Sequence, residues 1–171
     1  GIPSIMFYCN ELITEFDVKK IIRIGTCGAI KKDIHVSDVI LGMSANTTSN
    51  INTTRFNGYD FAPTADFELL YKAYEIAKKK PETAELVHVG PILSTDEFYG
   101  HDDGLEAKYA EYGVLGVEME AAGLYTLAAK YGIQALAILT VSDHLVTGEA
   151  TSAKEREQTF TNMMEIALET C

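Results

Sequence analysis

Long apolar runs are absent from this 171-residue sequence, since none approaches the roughly 18 residues that a helix needs to cross a bilayer. No secretory signal pattern opens the chain. Cysteine is scarce, and Cys9, Cys27 and Cys171 are odd in number and form no zinc-binding spacing with the four histidines. We therefore expect a cytoplasmic protein with no membrane contact and no metal, whose cysteines serve as small buried hydrophobes.

Positive charge is the second shortage. The sequence has 14 Lys and Arg residues against 25 Asp and Glu residues, which gives a net charge of −11. A surface this acidic repels nucleic acid and anionic membranes, so neither is an expected partner. Local cations would have to hold an anionic ligand against this field, and each buried arginine is therefore informative.

Two common site signatures are missing as well. The chain has neither the Gly-x-x-x-x-Gly-Lys phosphate loop nor the Gly-x-Ser-x-Gly nucleophile turn. It also has no internal repeat, linker or low-complexity tract, which favours a single domain over residues 1–171. The chain opens on Gly-Ile-Pro-Ser and runs directly into a helical pattern, which is typical of the middle of a protein.

Helical and strand patterns of apolar residues alternate along the chain. The strand segments are too continuously apolar to face water, most clearly at 134–141. This order predicts an α/β fold of three layers, in which helices flank a mostly parallel, twisted sheet. The predicted helices are 1–16, 66–80, 105–112, 118–130 and 152–170, and the predicted strands are 19–24, 37–43, 85–93, 114–117 and 134–141.

Ligands of such sheets gather at the carboxyl ends of the strands, and the first unusual strand end contains Arg23. Arg23 lies in the apolar run Ile-Ile-Arg-Ile, and Gly25-Thr26-Cys27-Gly28 follows. A buried guanidinium must be paired, so an edge strand or an internal ion pair would explain it. Arg23, the Thr26 hydroxyl and a glycine turn with accessible N–H groups also suit phosphate.

The second unusual strand end is Glu118-Met119-Glu120, where a short predicted strand ending at Val117 meets a helix. The helix dipole favours one acid here by about 0.3–1 kcal/mol. Ala-Ala-Gly follows and leaves space beside the start of the helix. A carboxylate at this point could accept two hydroxyl hydrogen bonds from a sugar.

The third strand end is Ser142-Asp143-His144, after the run 134–141. An aspartate at the end of a buried strand either caps a backbone or acts in catalysis. Phe98 lies in a polar loop, where an exposed aromatic ring can stack on a flat ligand. Arg156 opposes the dipole in the first turn of the last predicted helix, and Asp143 is its candidate partner.

Three motifs together carry a resemblance: Ile-Arg-Ile-Gly-Thr-Cys-Gly at 22–28, Gly-Val-Glu-Met-Glu-Ala-Ala-Gly at 116–123 and Thr-Val-Ser-Asp-His at 140–144. The chain resembles the nucleoside phosphorylase and uridine phosphorylase family over essentially its whole length, and is most similar to the hexameric bacterial purine nucleoside phosphorylases. The resemblance implies a pentosyltransferase that reversibly converts purine (deoxy)ribonucleosides and phosphate into free base and (deoxy)ribose 1-phosphate. It also implies phosphate as co-substrate, no cofactor, and a homohexamer built as a trimer of dimers.

The resemblance further implies roles for ten side chains. The phosphate-binding residues would be Arg23 and Thr26, and the ribose-binding residues Glu120 and Met119. The residues around the base would be Phe98, Val117, Glu118 and Ser142. The catalytic residues would be Asp143, as the acid at purine N7, and Arg156, which would support it.

The family also has an N-terminal strand and a Gly-rich phosphate loop with an arginine before the position of Gly-Ile-Pro-Ser, and residues 1–171 do not contain them. Three alternatives stay open. Asp143 with Arg156 argues against a uridine phosphorylase, and Arg23 beside Thr26 argues against a phosphate-independent 5′-methylthioadenosine-type nucleosidase. The third alternative is an inactive, truncated nucleoside-binding relative.

Overall fold

A computed structural model describes residues 1–99, 104–151 and 153–171, with the backbone alone for 153–160. Helices and strands alternate, as the sequence pattern predicts. The helices are α1 (Ile2–Phe16), α2 (Ile51–Arg55), α3 (Phe67–Lys79), α4 (Leu105–Glu111), α5 (Ala121–Tyr131) and α6 (Ala153–Thr170). The strands are β1 (Lys20–Ala29), β2 (Val39–Thr47), β3 (Val87–Ser94), β4 (Gly116–Glu118) and β5 (Gln134–His144).

The five strands form one mixed sheet in the order β1-β4-β3-β2-β5, which closes into a barrel. The pairs β1–β5, β2–β3 and β3–β4 are parallel, whereas β1–β4 and β2–β5 are antiparallel. The prediction of an α/β fold with a mostly parallel sheet flanked by helices is confirmed. Closure of the sheet is an additional feature, and register shifts at Cys27/Gly28 and Gly42/Ser44 accompany it by bending β1 and β2.

The strand β5 is central to the core, because it pairs with both β1 and β2 and residues 135–141 are buried throughout. Successive side chains of a strand point to opposite faces. Accordingly, Ala137 and Leu139 pack in the cluster that includes α1 and α5, while Leu136 and Ile138 pack in the cluster that includes α3 and α6. Burial on both faces explains the continuous apolar run. Among the described residues no helix combines the length and the hydropathy needed to cross a bilayer.

Local signals explain several element ends. Asp66 caps α3 by accepting the Leu69 N–H at 2.9 Å, and Pro81 follows shortly after the last turn. Pro3 lies in the first turn of α1, where a proline needs no hydrogen bond partner for its nitrogen. Gly132 ends α5 in the left-handed conformation (φ 63°), as expected of a glycine beyond the last turn.

At the three strand ends with unusual residues, each strand continues beyond its predicted end, and β2 likewise runs to Thr47 instead of residue 43. The expected glycine turn at 25–28 is wrong, because β1 continues through it with Gly25 opposite Leu139 and Thr26 opposite Thr140. The strand β5 likewise extends through His144, and Glu118 belongs to β4 rather than to the following helix. Long strands at these ends place Thr26 and Asp143 on a rigid ladder instead of on loops.

Candidate functional site

A cavity of about 470 Å³ lies where β1, β4 and β5 end and where the chain leaves β3. Its size is in the range of about 300–1,000 Å³ that small-molecule sites occupy. Nine of the ten predicted site residues line it: Arg23, Thr26, Phe98, residues 117–120, Ser142 and Asp143. The tenth, Arg156, lies in the first part of α6, and its side chain is outside the described residues.

Arg23 is the principal cation of this cavity. Its Nη2 donates to Glu120 Oε2 and lies 3.6 Å from Glu118 Oε2, while 15% of its side chain is exposed. The internal ion pair considered from the sequence is therefore present. However, the buried Nη1 has no hydrogen-bond partner among the described residues, and a buried polar atom of this kind requires an explanation. An acceptor supplied by a ligand would provide one.

Gly25 makes room for this guanidinium. A Cβ added to Gly25 would lie 2.5 Å from Arg23 Nη1 and 3.0 Å from its Cζ. Residues two apart on a strand share a face, so any side chain at position 25 would compete with Arg23 for the same space. The glycine expected to supply a turn thus serves instead to seat the Arg23 side chain.

Glu118 is fully buried and caps the start of α5. Its carboxylate accepts the N–H of Glu120 at 2.9 Å and that of Ala121 at 3.0 Å, and also the hydroxyl of Ser94. Burial raises the pKa of Glu118, although Arg23, Ser94 and the two amides oppose the shift. Since Ala122 N–H is taken by Ser94 Oγ, the first amides of α5 are occupied within the protein and are not free to bind an anion.

Glu120 follows at the first position before α5, with 20% of its side chain exposed to the cavity side. It pairs with Arg23, and its Oε1 accepts a hydrogen bond from the Gly1 nitrogen at 2.5 Å. Burial acts to raise the pKa of Glu120, whereas the charge of Arg23 and the hydrogen bond from it act to lower the pKa.

Asp143 is partly buried near the end of β5, opposite Gly28 of β1. Ser142 Oγ donates to Asp143 Oδ1 at 2.6 Å, which fixes one carboxylate oxygen. The other oxygen, Oδ2, lies 3.1 Å from the point where a Cβ on Gly28 would stand. Leu145 Cγ and Cδ2 lie 3.0 and 3.1 Å from the same point, so Asp143 Oδ2 and the Leu145 side chain pack closely over Gly28. Phe98 is 77% exposed at the same cavity, as the sequence predicts for a stacking aromatic.

The structure adds neighbours that sequence reasoning missed. Cys27, Thr95 and Leu145 also line the cavity, and Ser94 lies just behind it. Burial raises the pKa of the Cys27 thiol, and the charges of Glu118 and Asp143 raise it further, so the thiol stays protonated. A strand-end pattern could have signalled Thr95, but no sequence signal identified Ser94, whose role depends on contacts with residues 24 to 28 positions away.

The lining is strongly acidic. Glu97, Glu106, Glu118, Glu120 and Asp143 face a single guanidinium among the described lining residues, that of Arg23. A neutral, hydroxyl-rich ligand suits carboxylates that accept hydrogen bonds, whereas an anion can be held only near Arg23. By charge, the part of the cavity at β1 suits an anion, and we call it the anion end; the part at the start of α5 suits hydroxyl groups, and we call it the hydroxyl-binding end.

A cavity with these two parts, at the strand ends of an α/β sheet, is typical of an enzyme that acts on small polar molecules. Over residues 1–171 the chain matches the model of the phosphorylase superfamily, and it belongs to that family. It is 62% identical over 169 residues to a protein of Clostridium novyi (strain NT) named purine nucleoside phosphorylase DeoD-type, covering 99% of this chain and 71% of that protein. Relatives with the same name occur in Caldanaerobacter subterraneus subsp. tengcongensis (59% identical, covering 99% of this chain and 72% of that protein) and Bacillus subtilis (strain 168) (56%, 98% and 70%).

Proposed function

We propose that the cavity binds a purine nucleoside together with inorganic phosphate and catalyses reversible phosphorolysis to free base and (deoxy)ribose 1-phosphate. The observation that carries the proposal is the meeting of Arg23, Glu120 and Asp143 in one cavity. These three side chains come from β1, the start of α5 and β5, and each supplies a different part of one reaction. Identities of 54–62% to purine nucleoside phosphorylases over nearly the whole chain support the same reaction.

At the anion end, Arg23 and Thr26 bind phosphate. The unpartnered Nη1 of Arg23 donates to a phosphate oxygen, and the Thr26 hydroxyl donates to a second one. The ion pair with Glu120 holds the guanidinium in place before the ligand arrives. Preorganised donors of this kind stabilise an anion without reorganising during the reaction.

At the hydroxyl-binding end, Glu120 accepts hydrogen bonds from the ribose hydroxyls, and Met119 packs against the sugar. A carboxylate has two acceptor oxygens and no donor, so it can accept one hydrogen bond from each of two hydroxyls. Since Arg23 contacts both Glu120 and the proposed phosphate position, the two substrates are aligned by one ion pair. The attacking oxygen is thereby brought to the sugar carbon C1′.

The base lies between Phe98, Val117, Glu118 and Ser142, with Asp143 as the acid. A phosphate oxygen forms a bond to C1′ while the bond from C1′ to the purine nitrogen breaks. The electron pair of that bond passes to the purine, and Asp143 donates a proton to N7. General acid catalysis of this kind contributes about 10²–10⁴ in rate. Ser142 Oγ donates to Asp143 Oδ1, which leaves Oδ2 to carry the proton for the base. Arg156 stabilises the carboxylate that remains.

The other expectations belong to this proposal. The chain acts as one domain, without a cofactor, in the cytoplasm and as a homo-oligomer, with a hexamer built as a trimer of dimers. Exposed apolar side chains on the outer face of α1 support association with further copies: Phe7, Tyr8 and Phe16 are 64%, 66% and 73% exposed.

Phosphate dependence of base release tests the proposed reaction. Inosine, adenosine, 5′-methylthioadenosine and uridine are each incubated with the protein over a phosphate titration, and the free base is quantified by chromatography. We expect release from inosine or adenosine that saturates with phosphate and is absent without it. Purine release without phosphate would identify a nucleosidase, preference for uridine would identify a uridine phosphorylase, and binding without turnover would identify a nucleoside-binding relative.

A further inference from the structure

Ser94 is the last residue of β3 and is fully buried, with 0% of its surface exposed. Its Oγ donates to Glu118 Oε1 and accepts the Ala122 N–H at 2.9 Å. A hydroxyl with both donor and acceptor satisfied is held in one rotamer. Ser94 is not among the residues that line the cavity, so any effect it has on substrate must pass through its partners.

Those partners hold the first turn of α5, which begins directly after Glu120. Ser94 and Glu118 together accept the N–H groups of Glu120, Ala121 and Ala122, which are the amides at the start of α5 without partners inside the helix. These bonds fix the backbone from which the Glu120 side chain leaves. Loss of the cap would leave these N–H groups without hydrogen-bond partners, and each buried N–H group without a partner destabilises the fold.

We propose that Ser94 is a positioning residue for sugar binding: through Glu118 and the first turn of α5 it fixes the Glu120 carboxylate at the point where the ribose hydroxyls bind. The inference rests on the proposed function, because it takes Glu120 to be the ribose ligand. Without the Ser94 hydroxyl, the Ala122 amide and one oxygen of Glu118 lose a partner, and the first turn shifts. A displacement of about 1 Å in a substrate-positioning group can cost about 10² in rate.

The test compares Ser94→Ala on two substrates that differ only in the hydroxyls that Glu120 would bind, inosine and 2′,3′-dideoxyinosine. We expect kcat/KM to fall about tenfold more for inosine than for the dideoxynucleoside, because a shift of Arg23 affects both substrates alike, whereas the weakened contacts of Glu120 with the hydroxyls affect inosine alone. A merely structural role would lower both values alike. The matched control is Thr83→Val, which removes another buried hydroxyl, one that donates to Ala77 O at 2.6 Å and is away from the cavity.

Ser94→Cys keeps the size of the side chain with a weaker donor, so the same comparison remains available if the alanine variant does not fold. We expect the kcat/KM of Ser94→Cys on inosine to lie between the values of the wild type and of Ser94→Ala. Equal losses on both substrates, or no loss, with a wild type that shows phosphate-dependent base release, overturn the inference alone. A wild type that lacks this activity overturns the proposed function and the inference with it.

Discussion

Replacing Gly25 by alanine perturbs the anion end of the cavity through a single methyl group. The new Cβ would stand 2.5 Å from Arg23 Nη1 and 3.1 Å from Nη2, well inside ordinary van der Waals contact. The backbone of β1 is held by its ladder with β5, so the end of the Arg23 side chain must give way. It retreats by about 1 Å, away from both Glu120 and the proposed phosphate position, and a shift of that size can cost about 10² in rate.

Steady-state kinetics with phosphate as the varied substrate measures this effect. We expect kcat/KM for phosphate to fall by about 10- to 100-fold in Gly25→Ala, with most of the loss in KM for phosphate. Gly90→Ala is the matched control, because its Cβ would lie 2.7 Å from Leu115 Cδ1, an equally severe clash that is away from the cavity. An unchanged KM for phosphate in Gly25→Ala, or an equal increase in Gly90→Ala, would refute the reasoning that Gly25 seats the Arg23 guanidinium.

Three further predictions concern Asp143, Arg156 and the cysteines. Asp143→Asn should lower kcat on inosine by about 10²–10⁴, yet change it little on 7-methylinosine, whose base leaves without protonation at N7; equal losses on both would count against an acid role. Arg156→Ala should change both the rate and the pH profile of kcat, and an unaltered rate and profile would show that Arg156 is not coupled to the acid. Burial raises the pKa of Cys27, so this thiol stays protonated at neutral pH and should resist iodoacetamide in the folded protein, while the exposed Cys171 reacts. Mass spectrometry of peptides measures the labelling of each cysteine separately. Rapid labelling of Cys27 would contradict its burial.

The layers of the fold could be predicted from the sequence because they depend on local periodicity. The apolar run 134–141 indicates a strand buried on both faces, and β5 has that place in the barrel. Closure of the sheet could not be predicted in the same way. It depends on register shifts at Cys27/Gly28 and Gly42/Ser44 and on pairings between distant strands, for which no short-range pattern exists.

The residues of the candidate site could also be predicted, but the hydrogen bonds and packing contacts among them could not. Residues such as Arg23 and Asp143 are conspicuous because their charge interrupts or ends an apolar strand. The turn expected at Gly25 was wrong because glycine there is required by the Arg23 side chain rather than by the backbone. Ser94 was overlooked because a serine at a strand end is unremarkable until its partners Glu118 and Ala122 are known.

Reaction in water enriched in ¹⁸O tests most directly the central claim, that phosphate and not water attacks the sugar in this cavity. The protein is incubated with inosine and unlabelled phosphate in the labelled water, and the sugar product is analysed by mass spectrometry. If Arg23 and Thr26 hold phosphate against C1′, the product is ribose 1-phosphate without ¹⁸O at the anomeric oxygen. Free ribose that carries ¹⁸O, formed at a rate independent of phosphate, would contradict the claim.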